Sequence, residues 1–387
     1  MDPGRVVFRS HRMFSKQPTS LAQPAIQDTL EFFPQDFQVS RKRFLESAHL
    51  LGAKVTTHQL ETATPALQGK VAIDIAYLGE VSAPNVVLHV AGTHGIEGFV
   101  GSAVQQAIMR ELQPPPPGVA FAFVHCLNPW GMSMLRRTNE GNVDLNRNSI
   151  MNDAERHGTP EGYEYIRPLL MPSGSTPFPL FACKALLKVL RHGFPAVKQS
   201  VTQGQFEFPT GLFFAGKALQ PELVFFRAWL KENLSQAKRV IAIDVHSGLG
   251  DFARDYLILD NVVGSDEYKR VVKIFGAQKV EGSDPKTSVA YVSIGSLKCL
   301  VEDALPNSEL SGIVQEFGTY HSFKVIHALI EENQRYHAGK GGDPEARDNS
   351  LMQAFCPPVS EWRTQVVRSG IEVFNAAQAG ISLLEGS

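Results

Sequence analysis

Continuous runs of apolar residues, each followed by a short polar segment, recur along the 387-residue chain. The runs at 86–90, 119–125 and 239–245 are long enough to predict strands buried on both faces of a sheet. Between these runs, apolar residues return at helical spacing, most clearly at 99–112 and 221–234. The alternation predicts an α/β fold in which helices cover both faces of a central sheet.

Side chains that can do chemistry stand directly after two of these apolar runs. His94 and Glu97 follow the first run, and His246 follows the third. Ligands bind at the carboxyl ends of strands in open α/β sheets, so the three side chains are expected at one edge of the sheet. Two histidines and a glutamate form a typical catalytic zinc site, and a close pair followed by a distant third ligand is typical of catalytic rather than structural zinc.

The spacing around His94 also allows less specific interpretations. A His-x-x-Glu motif alone is common and has a high false-positive rate. The glycines at 92, 95, 98 and 101 could form a phosphate-binding loop. Their spacing of three residues matches neither the dinucleotide fingerprint nor the P-loop, so the metal interpretation is favoured by the rest of the chain.

Two further stretches carry candidate site residues. The segment 135–148 is too polar for a core and is rich in arginine and asparagine, which hold carboxylates with fixed geometry, although a solvated loop would have the same composition. Glu316 stands among apolar residues in a predicted strand at 313–317, either as a paired structural acid or as a functional one. His89 and His125, inside apolar runs, are expected to be core histidines.

Residues 150–235 are less regular than the rest of the chain. A helix is predicted at 180–190, and the aromatic and glycine-rich stretch 203–216 predicts either a hairpin or a lid over the site.

Composition narrows the classes of partner and location. Net charge is −2 with acids and bases interspersed, so no nucleic-acid partner is expected. No apolar run approaches the roughly 20 residues that span a bilayer, so no membrane partner is expected. The four cysteines are far apart and form no C-x-x-C pair, which favours a cytoplasmic protein with reduced thiols. Residues 1–20 weakly resemble a mitochondrial transit peptide, but Pro3 and Gly4 would interrupt its helix, so a disordered basic tail is expected over residues 1–30.

Several short motifs follow one another between residues 86 and 320. They are His94-x-x-Glu97, Arg136-Arg137-Thr138, Asp144-Leu-Asn146-Arg147-Asn148, Asp244-Val-His246-Ser-Gly and Glu316. Their order and residue types resemble the zinc carboxypeptidase family, and the segment 204–213 is similar to an uncharacterised branch of that family. The aspartoacylase and succinylglutamate desuccinylase group is a more distant relative. The resemblance implies a mixed, largely parallel sheet in a single catalytic domain over residues 31–387, with an insert at about 150–235.

The resemblance also implies a role for each motif residue. His94, Glu97 and His246 would hold one zinc ion per chain, and Asp144 would orient the imidazole of His94. Arg136 would polarise the scissile carbonyl and stabilise its developing negative charge.

Four more positions have implied roles at the substrate. Asn146 and Arg147 would hold its free carboxylate, and Glu316 would be the general base. Tyr291 would close over the substrate, with a core tyrosine as the alternative. Leu297 and Lys298 are both candidates for the specificity pocket and imply opposite preferences.

The expected function is therefore a zinc-dependent hydrolase of the metallocarboxypeptidase type, which cleaves an amide or peptide bond next to a free carboxylate. The substrate would be a small peptide. An alternative is a deacylase for N-acyl amino acids, because the insert could narrow the cleft and Ile96 replaces an arginine found in many digestive carboxypeptidases. A second alternative is a zinc-containing binding protein without turnover. The physiological substrate and the oligomeric state are left open by the sequence.

Overall fold

The computed structural model describes residues 29–260, 263–282, 293–340 and 350–383. An eight-stranded sheet forms its centre. Its strands are β1 (Lys54–Gln59), β2 (Ala72–Leu78), β3 (Asn85–Ala91), β4 (Val119–His125), β5 (Arg239–Ser247), β6 (Asp255–Ile258), β7 (Val280–Glu281) and β8 (Glu309–Phe317). They are ordered β1–β2–β4–β3–β5–β8–β6–β7.

The four central strands β4, β3, β5 and β8 are parallel to one another. On one side β2 runs antiparallel to β4 and β1 antiparallel to β2, and on the other β6 runs antiparallel to β8. Every residue of β3 and β4 is buried, as their continuous apolar sequences predict for strands covered on both faces. The predicted mixed, largely parallel sheet is confirmed.

Twelve α-helices lie in the described residues. They are α1 (Phe37–Leu50), α2 (Gly98–Glu111), α3 (Pro129–Ser133), α4 (Tyr163–Leu170), α5 (Phe178–His192), α6 (Phe194–Thr202), α7 (Pro221–Leu234), α8 (Asp266–Phe275), α9 (Leu297–Ala304), α10 (Ser322–Arg335), α11 (Ser350–Phe355) and α12 (Ser360–Leu383). None of the described helices is both long and apolar enough to cross a membrane.

Strand β2 shows how helices cover both faces of the sheet. Its side chains alternate between the two faces. Asp74 accepts hydrogen bonds from Arg41 of α1, whereas the ring of Tyr77, three residues later, lies 6.4 Å from the ring of Trp229 on α7. The central α2 and α12 pack against each other and against β3. The predicted helical cover on both faces is therefore confirmed.

The insert differs in part from its prediction. The helix expected at 180–190 extends over Phe178–His192, and two further helices, α4 and α6, flank it. The stretch 203–216 contains no strand, only an isolated bridge between Gln205 and Phe214, so the hairpin interpretation is wrong. Tyr291 and the tail residues 1–28 lie outside the described residues.

Two histidines are fully buried beneath α1 and α2. The Nδ1 atom of His89 lies 3.3 Å from the amide nitrogen of Gln105, and the Nε2 atom of His125 lies 2.7 Å from the hydroxyl of Ser40. The ring of His125 also stacks on Phe44 at 4.8 Å. Burial lowers the pKa of each histidine to about 4. Both are neutral core residues, as expected from their apolar neighbours in sequence.

These histidines should make stability depend on pH. Their pKa lies below the value near 6.5 of an unfolded chain, so the unfolded chain binds more protons between about pH 4 and 6.5. The free energy of unfolding should therefore fall as the pH drops through this window, by about 2 kcal/mol per histidine at pH 5. Urea denaturation at pH 7.5 and pH 5 measures the difference. The difference in unfolding free energy between the two pH values should be smaller in His89→Phe and unchanged in His157→Phe, because His157 is exposed. The same pH dependence in both variants and the unsubstituted protein would contradict the assignment of His89 as a neutral core residue.

Candidate active site

His94 and Glu97 lie in the short connection between β3 and α2. A 3₁₀ turn at Gly95–Glu97 follows His94, and the helix begins at Gly98. The glycines here permit close approach. Gly92 has a φ of +71°, and a Cβ added to it would lie 2.2 Å from the sulfur of Cys126; one added to Gly95 would lie 2.1 Å from the backbone of Gly131. Their role is backbone packing, which explains their regular spacing without a phosphate.

The sheet brings His246 and Glu316 to the same edge. β5 pairs with both β3 and β8, and all three strands are parallel, so their carboxyl ends meet at one edge. His246 and Glu316 are direct partners in the β5–β8 register. Three neighbouring strands therefore deliver the two histidines and both glutamates to one place.

The three predicted metal ligands form a compact cluster. Their ligand atoms all lie within 4.8 Å of one another. The Nδ1 atom of His94 is 2.9 Å from one carboxylate oxygen of Glu97, and the Nδ1 atom of His246 is 3.1 Å from the other. The two Nδ1 atoms are 3.1 Å apart. All three side chains are at most 3% exposed.

Each histidine is held from behind by a carboxylate. Asp144 lies 2.9 Å from Nε2 of His94, as the sequence resemblance implied, and Asp244 lies 2.7 Å from Nε2 of His246. Thr93 donates its hydroxyl hydrogen to Asp244 at 2.7 Å. A carboxylate at Nε2 fixes the orientation of an imidazole and leaves Nδ1 facing the cluster.

The charged groups of the cluster shift one another's pKa values. Burial would raise the pKa of Glu97, but the charges and hydrogen bonds of His94 and His246 outweigh burial and hold it below its usual range. Burial likewise opposes charge on His246, but Asp244 and Glu97 outweigh it and raise the pKa of that imidazole. The cluster thus gathers negative charge around two histidines whose Nδ1 atoms face each other.

This arrangement fits a divalent metal ion. Two imidazole nitrogens and a carboxylate are the donors that catalytic zinc takes from a protein. Two Nδ1 atoms facing each other at 3.1 Å alongside a carboxylate share one small space that a cation can bridge. Both histidines already have the carboxylate partners that metal-bound histidines need. His94, Glu97 and His246 could therefore hold a metal.

Glu316 lies beside this cluster with one carboxylate oxygen held. Its Oε1 atom accepts a hydrogen bond of 2.9 Å from the backbone N–H of Leu249. Burial raises the pKa of Glu316 to about 7, and the negative charge of Glu97 adds to the effect. A carboxyl group with a pKa near neutral is suited to accept and release a proton.

The expectation for Arg136 needs correction. Its guanidinium does not line the site; it donates a 2.6 Å hydrogen bond to Glu332 and another to Asn142, and it lies over the ring of Tyr336 at 3.5 Å. The neighbouring Arg137 faces the cluster instead and donates to Glu97 and, through Nε, to Asp144, each at 3.0 Å.

The expectation for Arg147 also needs correction. Its side chain is fully buried and donates to the backbone carbonyls of Thr202, at the end of α6, and of Asn146. It therefore holds the insert against the site rather than facing the cluster. Asn146 does line the cavity, and its side-chain oxygen accepts the N–H of Leu297 at 2.9 Å. The proposed role of Tyr291 falls outside the described residues.

A cavity of about 850 Å³ opens onto these groups. The metal-ligand cluster, Arg137 and Glu316 form part of its wall, and residues from the insert and from α10 form much of the rest. Its volume is near the upper end of the roughly 300–1,000 Å³ range of small-molecule sites.

Sequence analysis missed the roles of Asp244 and Arg137, although both stand in the quoted motifs. Asp244 could have been found, because residues two apart in a strand share a face and its partner His246 was already a candidate. It also missed the extent of the insert's contribution to the cavity. Lys198 and Phe181 lie in that insert, and no local motif marks them.

Comparison with known proteins gives a fold likeness at low identity. Carboxypeptidase A from Helicoverpa armigera is 16% identical with a TM-score of 0.45, and the match covers 81% of this chain and 73% of that one. Bovine thrombin-activatable fibrinolysis inhibitor is 10% identical with a TM-score of 0.49, covering 90% and 98%. A succinylglutamate desuccinylase from Silicibacter sp. TM1040 is 16% identical with a TM-score of 0.38, covering 74% and 67%.

These identities are too low to transfer an activity, and no curated protein matched the sequence. A family model described as a protein of unknown function, DUF2817, matches residues 33–369. The match includes the whole ligand cluster, the insert and Glu316. The chain belongs to the DUF2817 family.

Proposed function

We propose that this protein is a metal-dependent hydrolase that cleaves an amide bond next to a free carboxylate. The observation that carries the proposal is the convergence of His94, Glu97 and His246 with Glu316 and Arg137 on one cavity. Metal ligands, a carboxyl group with a pKa near 7 and an arginine are the parts that hydrolysis of an unactivated amide requires.

The metal site is assigned to zinc. The donor set of two imidazoles and one carboxylate favours zinc over the hard oxygen-bound cations. When bound, zinc supplies Lewis acidity and lowers the pKa of water toward 7.

Glu316 is assigned as the general base. It takes a proton from the attacking water, whose oxygen bonds to the amide carbon, and returns the proton to the departing nitrogen as the C–N bond breaks. The backbone N–H of Leu249 holds one carboxylate oxygen, which leaves the other for this proton transfer. A pKa near neutral supports both steps, because the same group must accept the proton and then release it.

Arg137 takes the role that the resemblance gave to Arg136. Its guanidinium lines the cavity beside Glu97 and can stabilise negative charge that develops on the carbonyl oxygen. Lys198 is the other lysine or arginine that lines the cavity within the described residues, and we assign the substrate's free carboxylate to it. Asn146 also lines the cavity and would supply a polar side chain for the substrate.

A binding protein without turnover is the competing proposal, because a ligand cluster alone would also serve to hold a metal. The placement of Glu316 favours turnover. Burial and the nearby charge of Glu97 both disfavour the charged form of Glu316 and raise its pKa. A protein that only held a metal would gain nothing from this arrangement.

The metal assignment predicts about one zinc per chain in the purified protein. His94→Ala should lose it, and Asp244→Asn, which only removes the carboxylate behind His246, should weaken zinc affinity roughly 10- to 100-fold. Mass spectrometry of metal content and competition with a chelator measure both effects. His157→Ala is the matched control at an exposed histidine and should keep its zinc. Absence of zinc from the unsubstituted protein after incubation with the metal would refute the assignment.

The base assignment predicts a separation of metal binding from turnover. Glu316→Gln keeps an oxygen that accepts the Leu249 N–H but cannot accept a proton, so zinc should stay and hydrolysis of N-acyl amino acids should fall about 10²- to 10⁴-fold. Glu309→Gln, at the exposed start of the same strand, is the control and should retain full turnover. Unchanged hydrolysis in Glu316→Gln would exclude the mechanism.

A further inference from the structure

The insert builds one wall of the cavity almost entirely from apolar side chains. Its three helices α4, α5 and α6 all contribute, and apart from Lys198 and Thr202 their cavity-lining residues are apolar. The buried members include Ile166, Leu170, Phe181, Ala185, Val197 and Val201.

Helix α10 supplies further apolar residues to the same cavity. Phe323, Val325, Ile326 and Leu329 line it, and α10 packs against α5. The ring of Phe181 lies 5.0 Å from that of His327 on α10, which joins the two helices. The metal-ligand cluster opens into the same space, so an apolar chamber is continuous with the candidate catalytic groups.

We propose that this chamber binds a long apolar acyl chain, and that the substrates are N-acyl amino acids with medium or long chains. The proposal rests on the hydrolase function proposed above and names its substrate class. Water would add to the acyl carbon and the C–N bond would break, which releases a fatty acid and a free amino acid. Lys198, on the same helix as Val197 and Val201, would hold the amino acid's carboxylate.

An acyl chain fits this wall better than a peptide does. A peptide carries an N–H and a carbonyl group at every residue, and burying them without partners has a free-energy cost. A wall of apolar side chains offers few such partners, whereas an acyl chain needs none. A cavity of about 850 Å³ is also larger than an acetylated amino acid would fill.

Binding to the Glu316→Gln variant tests the chamber without turnover. Isothermal calorimetry with N-dodecanoylglycine and N-acetylglycine should show about 100-fold tighter binding of the long-chain compound, since each added methylene is buried. Ala185→Trp, made in the same background, fills the chamber from α5 and should abolish that preference while N-acetylglycine binding is kept. Ala154→Trp, at an exposed alanine, is the matched control.

Equal binding of the two compounds, or a preference that survives Ala185→Trp, would overturn the chamber proposal. A second filling variant, Val201→Phe on α6, guards against misfolding of the first and should give the same loss. Failure of the hydrolase proposal would appear separately, as tight long-chain binding in a protein that hydrolyses neither compound.

The outer face of the insert carries exposed large apolar side chains, which support a second, independent proposal. Four leucines of α5 are 49–73% exposed and do not line the cavity; they are Leu180, Leu186, Leu187 and Leu190. Phe178 and Phe194 are also exposed, but Phe178 lies 5.4 Å from the ring of His327 on α10 and Phe194 lines the cavity. Over the rest of the described chain, exposed large apolar residues are scattered singly or far apart. A cluster of this kind marks an interaction surface.

The basic side chains on α5 indicate which kind of partner this face binds. Helix α5 contains two lysines, one arginine and no acid. On α5 itself, Lys184 and Arg191 are exposed among the apolar residues. An exposed helix with large apolar residues and only basic charges is typical of helices that bind to the surface of an anionic bilayer. A second copy of the chain fits less well, because a two-fold contact would place like charges together.

We infer that the outer face of α5 binds an anionic lipid bilayer. The sequence predicted no membrane partner because no segment could span a bilayer, but a helix that lies in the interface needs no such segment. Amphiphilic N-acyl amino acids partition into bilayers, so this face would bring the chamber to its substrate.

Vesicle co-sedimentation at low salt tests the surface. The full chain should bind phosphatidylcholine vesicles that contain about 30 mol% phosphatidylglycerol. Its affinity for them should be at least about 10-fold higher than for vesicles of pure phosphatidylcholine. Leu187→Ser with Leu190→Ser should remove binding, whereas Leu50→Ser, at an exposed leucine on α1, should not. No binding to anionic vesicles, or equal binding to both vesicles, would overturn the inference. So would a dimer in solution that the same double substitution dissociates.

Discussion

Parallel pairing of β3, β5 and β8 is the constraint on which the site depends. Neighbouring strands lie about 4.8 Å apart, so groups at adjacent strand ends are brought within reach of one ion or one substrate atom. His246 and Glu316 are partners in register, and the connection after β3 carries His94 and Glu97 back toward them. A slip of one residue in β5 or β8 would turn either side chain to the other face of the sheet. The hydrogen-bonded register of the core therefore sets the geometry of the chemistry.

Burial makes the negative charges around the two histidines costly in free energy unless positive charge offsets them. Glu97, Asp144 and Asp244 surround two imidazoles, and all five side chains are buried. Arg137 offsets part of this negative charge through its contacts with Glu97 and Asp144. A divalent cation would offset the remainder, so the free energy of metal binding and the stability of this region should be linked. Burial, with the negative charge of Glu97 adding to it, raises the pKa of Glu316 to about 7.

Much of this site could be predicted from the sequence because its information is local. Strand ends are marked by the change from apolar to polar residues, and His94, Glu97 and His246 stand directly at those changes. The choice between Arg136 and Arg137 could not be made in this way. Leu135, with a φ of +55°, turns the backbone just before them, and neither helical nor strand periodicity applies in that segment. Arg136 instead bonds to Glu332, nearly two hundred residues away, and no local pattern predicts that contact.

The insert shows the same limit of sequence-based prediction on a larger scale. None of its helices carries a chemical motif, and their apolar residues are what any buried helix would show. Their meaning depends on where α6 is held, and that is fixed by the buried Arg147 through the carbonyl of Thr202. An arginine expected to bind substrate thus anchors the wall that shapes the cavity. Arg147 is therefore not among the residues that line the cavity, whereas Lys198 and the apolar side chains of the insert are. This lining is the basis on which a substrate with one charge and a long apolar chain is proposed.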